Sequence, residues 1–259
     1  MTNLKKYPSL ATVFVLFLTL ALSNCGTNQP VISSKTGTNI PITDAEKSVV
    51  EIEAVIEPYR NSINQDLSTV LAYAPHTFDK SKGKWQTDIG VLMADASLEK
   101  GNQVFKAREN KTIDISLLNH GGIRAIIPMG DVTTRTAFEI MPFENSLVVA
   151  TLKAEQILEL VDYIISEKKP HPLSGLSFEI EKGLAKNIKV QGQPLDAKRS
   201  YLVATSDYLL TGGDRMDFFK KSVYNYDLDY KIRNILIDYF KDTDTLRAAT
   251  DVRIREVSN

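Results

Sequence analysis

A chain of 259 residues, 43% apolar and 24% charged, has the balance of an ordinary globular protein, which excludes disorder throughout. Its formal net charge of -1 provides no field to gather a nucleic acid polymer or an anionic membrane surface, so any polyanion contact must come from a few placed side chains. The single cysteine has no partner for a disulfide.

At the amino terminus, Lys5 and Lys6 precede an apolar run from Leu10 to Leu22, and small and polar residues follow at once. That is the layout of a secretory signal. Cys25 comes directly after Leu22, Ser23 and Asn24, which resembles the lipobox of bacterial lipoproteins, where the cysteine is lipidated and begins the mature chain. Asn24 stands where Gly, Ala or Ser is usual; a lone thiol beside an uncleaved anchor helix is the alternative. A multiply acylated cysteine holds a protein at a bilayer without a spanning helix, since each buried methylene contributes about 0.8 kcal/mol. Downstream of Cys25 no apolar run approaches spanning length. Residues 1–25 are therefore expected to form a lipoprotein signal and 26–43, rich in Thr, Asn, Ser, Pro and Gly, a flexible tether. Either reading places the chain outside the cytoplasm, lipid-anchored at the bacterial cell envelope if Cys25 is modified and facing the periplasm or the outside.

Residues 44–259 are expected to form one α+β domain. Val49, Ile52, Val55 and Ile56 have helical spacing that Pro58 should interrupt, and Val70 to Ala74 looks like a strand. Thr87 to Lys100 is again helical, and Asp114 to Leu118 reads as a short buried strand. A strand from Ser146 to Leu152 precedes a helix from Ala154 to Glu167 with Ile157, Leu160, Val161 and Ile164 on one face. Strand signals at 176–180, 188–190 and 201–205 then alternate with turns, and an amphipathic segment runs from Lys231 to Phe240.

Three segments carry candidate chemistry. In the first, Leu118 to Arg124, a strand ends in Asn119, His120, Gly121 and Gly122, a turn that lets a ligand approach the backbone, with Arg124 beside it able to pair with phosphate or carboxylate oxygens. The lysine that ends a phosphate-cradling P-loop is absent. In the second, Met141 to Asn145, the ring of Phe143 and the amide of Asn145 could engage a base, or merely pack and cap a turn. The third runs from Ala204 through Tyr208 to Thr211, Gly212, Gly213 and Asp214, whose carboxylate suits a sugar diol as well as an Asx-type turn.

Together and in this order, the segments resemble the carboxy-terminal domain of the 5'-nucleotidase family, which carries Asn-x-Gly-Gly-Ile-Arg, Pro-Phe-x-Asn and Thr-Gly-Gly-Asp motifs. Thr87 to Ala96 is similar to that domain's first core helix, and Ser174-Gly175 to its strand entry. The resemblance covers about Tyr73 to Phe219. It implies mixed sheets flanked by helices, in a four-layer α-β-β-α sandwich, and a site for a nucleoside or nucleotide. Phe143 and Tyr208 would stack on the two faces of the base. Asn119 and Asn145 would hydrogen-bond the nucleoside, with Gly121 and Gly122 keeping the backbone low. Asp214 would hold the ribose hydroxyls and Arg124 would reach the phosphate. Tyr208 replaces the family's common phenylalanine, and a phosphate-binding arginine expected upstream gives way to Lys80, Lys82 and Lys84, which supply charge without a bidentate fork.

Hydrolysis in the family belongs to a separate domain with two metal ions, held by Asp-x-His, Gly-Asp-x-x-Asp, Gly-Asn-His and later histidine motifs; neither Asp-x-His nor Gly-Asn-His occurs in these 259 residues, and the one Gly-Asp-x-x-Asp match, Gly213 to Asp217, overlaps the third segment. The histidines here, His76, His120 and His171, have no metal-ligand spacing, and His120 reads as part of a turn or a pocket wall. The expectation is a chain with no catalytic residue or metal of its own, recognising nucleoside 5'-phosphates for hydrolysis by a separately encoded metallophosphatase that brings the divalent metal pair. A lipoprotein that binds nucleosides or nucleotides without hydrolysis is the alternative.

Overall fold

The computed structural model describes residues 14–15, 32, 34–43, 46–248 and 250–257. Cys25, and the expected signal apart from 14–15, lie outside these. The described part of the expected tether is exposed and without regular structure. Contacts divide the chain after Ile52, into Met1–Ile52 and Glu53–Asn259.

Helix α1 (Val50–Leu67) continues through Pro58, which was expected to interrupt it. None of its residues is buried, so the carbonyl that loses its partner to the proline ring can be hydrated. Next, β1 (Val70–Ala74) leads to α2 (Asp88–Glu109), where the Thr87 side chain caps the amino end by accepting from Gly90 N–H at 3.1 Å. The helix runs nine residues past the expected Lys100. It continues through Gly101, where a Cβ would lie 2.9 Å from Leu147, so the glycine lets α2 settle against the sheet.

The chain then gives β2 (Ile115–Leu117), β3 (Gly130–Thr133), α3 (Thr134–Ile140), β4 (Ser146–Lys153) and α4 (Ala154–Glu167). These are followed by β5 (Leu173–Ser174), β6 (Leu176–Glu181), β7 (Leu184–Val190), β8 (Gln193–Pro194), β9 (Ser200–Ser206) and α5 (Asp207–Leu210). Finally come β10 (Tyr224–Lys231), α6 (Ile232–Lys241) and β11 (Ile254–Val257).

A five-stranded mixed sheet, ordered β10-β4-β9-β2-β5, lies at the centre. Its strands alternate with period two between two cores. Leu147, Val149 and Ala204 face α2 and α6, while Ala150, Leu152, Tyr201 and Val203 face the four-stranded sheet β11-β6-β7-β8 and α4. The chain is of the expected α+β class, with α2 and α6 on one face of the central sheet and the second sheet on the other, and with α4 packed into the second core against β4 and β7.

Candidate nucleoside site

Sheet topology brings the three glycine-bearing and aromatic segments together. Strands β2 and β9 are parallel neighbours, with Ser116 opposite Ala204, so both end on the same edge. Strand β4 is antiparallel to β9, with Leu147 opposite Ser206, so it begins on that edge. The turn after β2, the turn before β4 and the turn after β9 therefore meet, in a crevice beyond the carboxyl ends of parallel strands.

A cavity of about 330 Å³ occupies the crevice, and all eight residues expected to bind substrate line it: Asn119, Gly121, Gly122, Arg124, Phe143, Asn145, Tyr208 and Asp214. The volume lies at the small end of the range of about 300 to 1,000 Å³ usual for ligand pockets. Met93, Leu118, Met141 and Ile232 complete an apolar lining, together with Ser206.

Each polar side chain is held before any ligand arrives. Asn119 donates through Nδ2 to Asp214 Oδ2 at 2.7 Å, and Asn145 through Nδ2 to Asp207 Oδ1 at 2.6 Å. Both amides are thereby oriented, with their carbonyl oxygens and one remaining N–H open to further bonds. Asp207, which sequence reasoning passed over, also accepts from Ser146 N–H at 3.2 Å and so ties the Phe143–Asn145 turn to the start of α5. Its signal was available, since Ser206-Asp207 after a strand is a helix amino terminus; the Ser206 side chain accepts from Leu209 N–H at 3.1 Å. Arg124 is exposed, its guanidinium 5.8 Å from the Phe143 ring centre, and its backbone N–H is fixed to Ile140 O at 2.9 Å.

At Gly122 a Cβ would lie 2.8 Å from Asn119 Oδ1, so the bare backbone here makes room for the asparagine amide beside the cavity. Gly121 has only ordinary contacts, at 3.6 Å to Asn119 and 3.7 Å to Asp214. The Lys80 ammonium donates to Ile123 O at 2.5 Å, and Lys84 pairs with Glu256; these lysines brace the loop and the last strand.

His120 does not line the cavity. Its backbone N–H donates to Nδ1 of His171, at 3.2 Å, beneath the site. His171 is buried, and burial first, then the neighbouring His120 and Lys169, push its pKa from 6.5 down to about 4. The unfolded chain takes up this proton near pH 6.5, whereas the folded one refuses it until about pH 4. Stability from this group is thus whole above pH 6.5 and is lost as pH falls through that window, by about 2 kcal/mol at pH 5. Urea unfolding between pH 7 and 5 should show this fall, and His171→Gln should flatten it; an unchanged slope in the variant would remove His171 as its source. Nearby, Tyr163 donates to the backbone O of Asp214 at 2.8 Å. Burial, followed by the charges of Glu167 and Asp214, raises its pKa to about 12, so it stays a donor at neutral pH.

Among the described residues no three His, Cys, Asp or Glu side chains converge to hold an ion. His76 stands apart beside Asp88 at 3.4 Å, and His171 spends its Nδ1 on a backbone N–H.

The fold is that of a 5'-nucleotidase carboxy-terminal domain. Similar architecture occurs in the 5'-nucleotidase precursor of Thermus thermophilus, with a TM-score of 0.67 at 24% identity over 81% of this chain and 44% of that one. The model of the 5'-nucleotidase carboxy-terminal domain matches residues 68–221, and the chain belongs to that family. Protein UshA of Salmonella pullorum is 30% identical over 155 residues, 52% of this chain and 28% of that protein. Protein UshA of Yersinia enterocolitica is 28% identical over 194 residues, 68% of this chain and 34% of that protein. The chain spans about a third of the length of these relatives.

Proposed function

We propose that this chain is the recognition half of a split 5'-nucleotidase, binding nucleoside 5'-phosphates at the cell envelope while a separately encoded metallophosphatase carries out hydrolysis. What supports this reading is the convergence of three sequence-distant motifs on one cavity whose polar groups are already oriented. The base enters between Phe143 and Tyr208, the asparagines meet its edge or the sugar, Asp214 takes the ribose hydroxyls, and Arg124 stands exposed where a phosphate would leave the cavity. By fixing base and ribose the chain turns binding into orientation of the phosphate toward the partner's site. The proposal includes residues 1–25 as a lipoprotein signal, with Cys25 as the anchor, 26–43 as the tether and 44–259 as the folded domain.

Titration calorimetry of the purified mature chain with adenosine and with AMP tests the binding step, and phosphate release with and without a candidate metallophosphatase tests the second. The expected result is saturable binding of both ligands, no release by the chain alone and release on mixing. That one chain supplies the whole cavity lining also favours a second reading, capture without hydrolysis. Binding with no stimulation of any envelope metallophosphatase would select it, and absence of binding would remove both.

A further inference from the structure

Asp214 is held on every polar atom that it offers. Tyr208 donates its phenol to Oδ1 at 2.9 Å and Asn119 its amide to Oδ2 at 2.7 Å. The Asp214 N–H returns a bond to the same phenol oxygen at 3.2 Å, and its carbonyl accepts from Tyr163 at 2.8 Å. This network holds a residue in an unfavourable backbone state, since Asp214 has φ 52° and ψ 24°, a left-handed conformation that non-glycine residues seldom adopt. The preceding glycine serves the same arrangement. A Cβ at Gly213 would lie 2.5 Å from the Tyr208 ring, so only a bare backbone lets the turn fold flush against the tyrosine.

Resting on the nucleoside reading above, we infer that Tyr208 is a positioning residue for Asp214, and that its hydroxyl makes the site select ribonucleosides over deoxyribonucleosides. A carboxylate has about four acceptor positions. Here one on each oxygen is taken by a protein donor, which leaves one on each oxygen for two adjacent hydroxyls. A diol satisfies both, whereas a deoxyribose leaves one unpaired in a partly enclosed site. The selection depends on direction, because a carboxylate free to turn toward solvent gains little from either sugar. Stacking alone would need only the ring, so phenylalanine separates the two roles of Tyr208.

The test compares the wild-type chain with Tyr208→Phe by calorimetric titration against adenosine, 2'-deoxyadenosine and 3'-deoxyadenosine, with an unliganded crystal structure of the variant beside it. The wild type should prefer adenosine over both deoxynucleosides. The variant should lose about tenfold in adenosine affinity, the scale of one hydrogen bond to a charged group, and change little toward the other two. Its Asp214 should leave the left-handed conformation. A preference unchanged in the variant, an equal weakening toward all three nucleosides or an Asp214 still in place would overturn the inference. A wild type that binds all three equally would overturn it while leaving the nucleoside site standing; a wild type that binds none would overturn both.

Discussion

Replacing Phe143 and Tyr208 together by alanine is expected to abolish measurable nucleoside binding while leaving the fold in place. A base stacked on an aromatic side chain gains about 1 to 3 kcal/mol from that contact, so losing both faces weakens binding by about thirtyfold to twenty-thousandfold. The fold should survive because neither ring belongs to a core: Phe143 is 39% and Tyr208 46% exposed, against 0% for Phe219 and Phe240. Local loosening is confined to the turn that leans on Tyr208, at Gly213 and Asp214, and to the cation that lies over Phe143, at Arg124. Calorimetric titration gives the affinity and circular dichroism melting the integrity. Binding within fivefold of wild type in a folded variant would place the nucleoside elsewhere; a collapsed melting curve would make the two rings structural.

Much of this site can be read from sequence because its chemistry is local to three short motifs. A strand followed by Asn119 to Arg124, and another by Tyr208 to Asp214, announce themselves as strand ends with glycine turns. Their meeting cannot be read so directly, since it depends on β2 and β9 lying parallel and β4 antiparallel, a long-range pairing on which local spacing is silent. The family resemblance supplied that link. Asp207 and Tyr163 were missed for a related reason: they act on other side chains of the site, and such support has no spacing of its own.

The elements left unread are those with a weak apolar pattern. Along β10 only Leu228 is buried, and along β11 only Ile254, so neither shows the alternation of a half-buried strand. Beside its parallel ladder with β6 and the buried Ile254, β11 is fixed by polar contacts. Arg253, just before it, reaches Asp95 on α2 at 2.7 Å and Asp251 at 3.0 Å, and its backbone O accepts from Phe178 N–H at 2.9 Å. The opposite case is α1, where a helical pattern of apolar residues was visible and the helix forms, yet the apolar residues Val55, Tyr59 and Ile63 stay exposed.

The position where fold and site are most tightly coupled is Gly175, and Gly175→Ala is expected to destabilise the domain by about 3 to 5 kcal/mol. Gly175 carries the chain from β5 in the central sheet to β6 in the other, with φ +77°. A Cβ there would lie 2.1 Å from the backbone oxygen of Asp114 and 2.6 Å from Gln191 Nε2. The backbone oxygen cannot yield easily. Asp114 O accepts from that same Gln191 nitrogen at 2.6 Å, and the Asp114 carboxylate holds Arg199 at 2.5 Å and Leu202 N–H at 2.9 Å. Asp114 directly precedes β2, whose far end carries Asn119 and Arg124, so a displaced Asp114 moves one wall of the cavity. Gly183 provides the control: it has nearly the same φ, +78°, but nothing within 4 Å of its Cβ position. Gly183→Ala should therefore cost only the left-handed penalty of about 1 to 2 kcal/mol. Urea unfolding of the two variants isolates the contact from the backbone conformation, and nucleoside titration should show weakened binding for Gly175→Ala alone. Equal losses of stability would mean that Asp114 gives way at little cost, and the strand entry would then be a turn like any other.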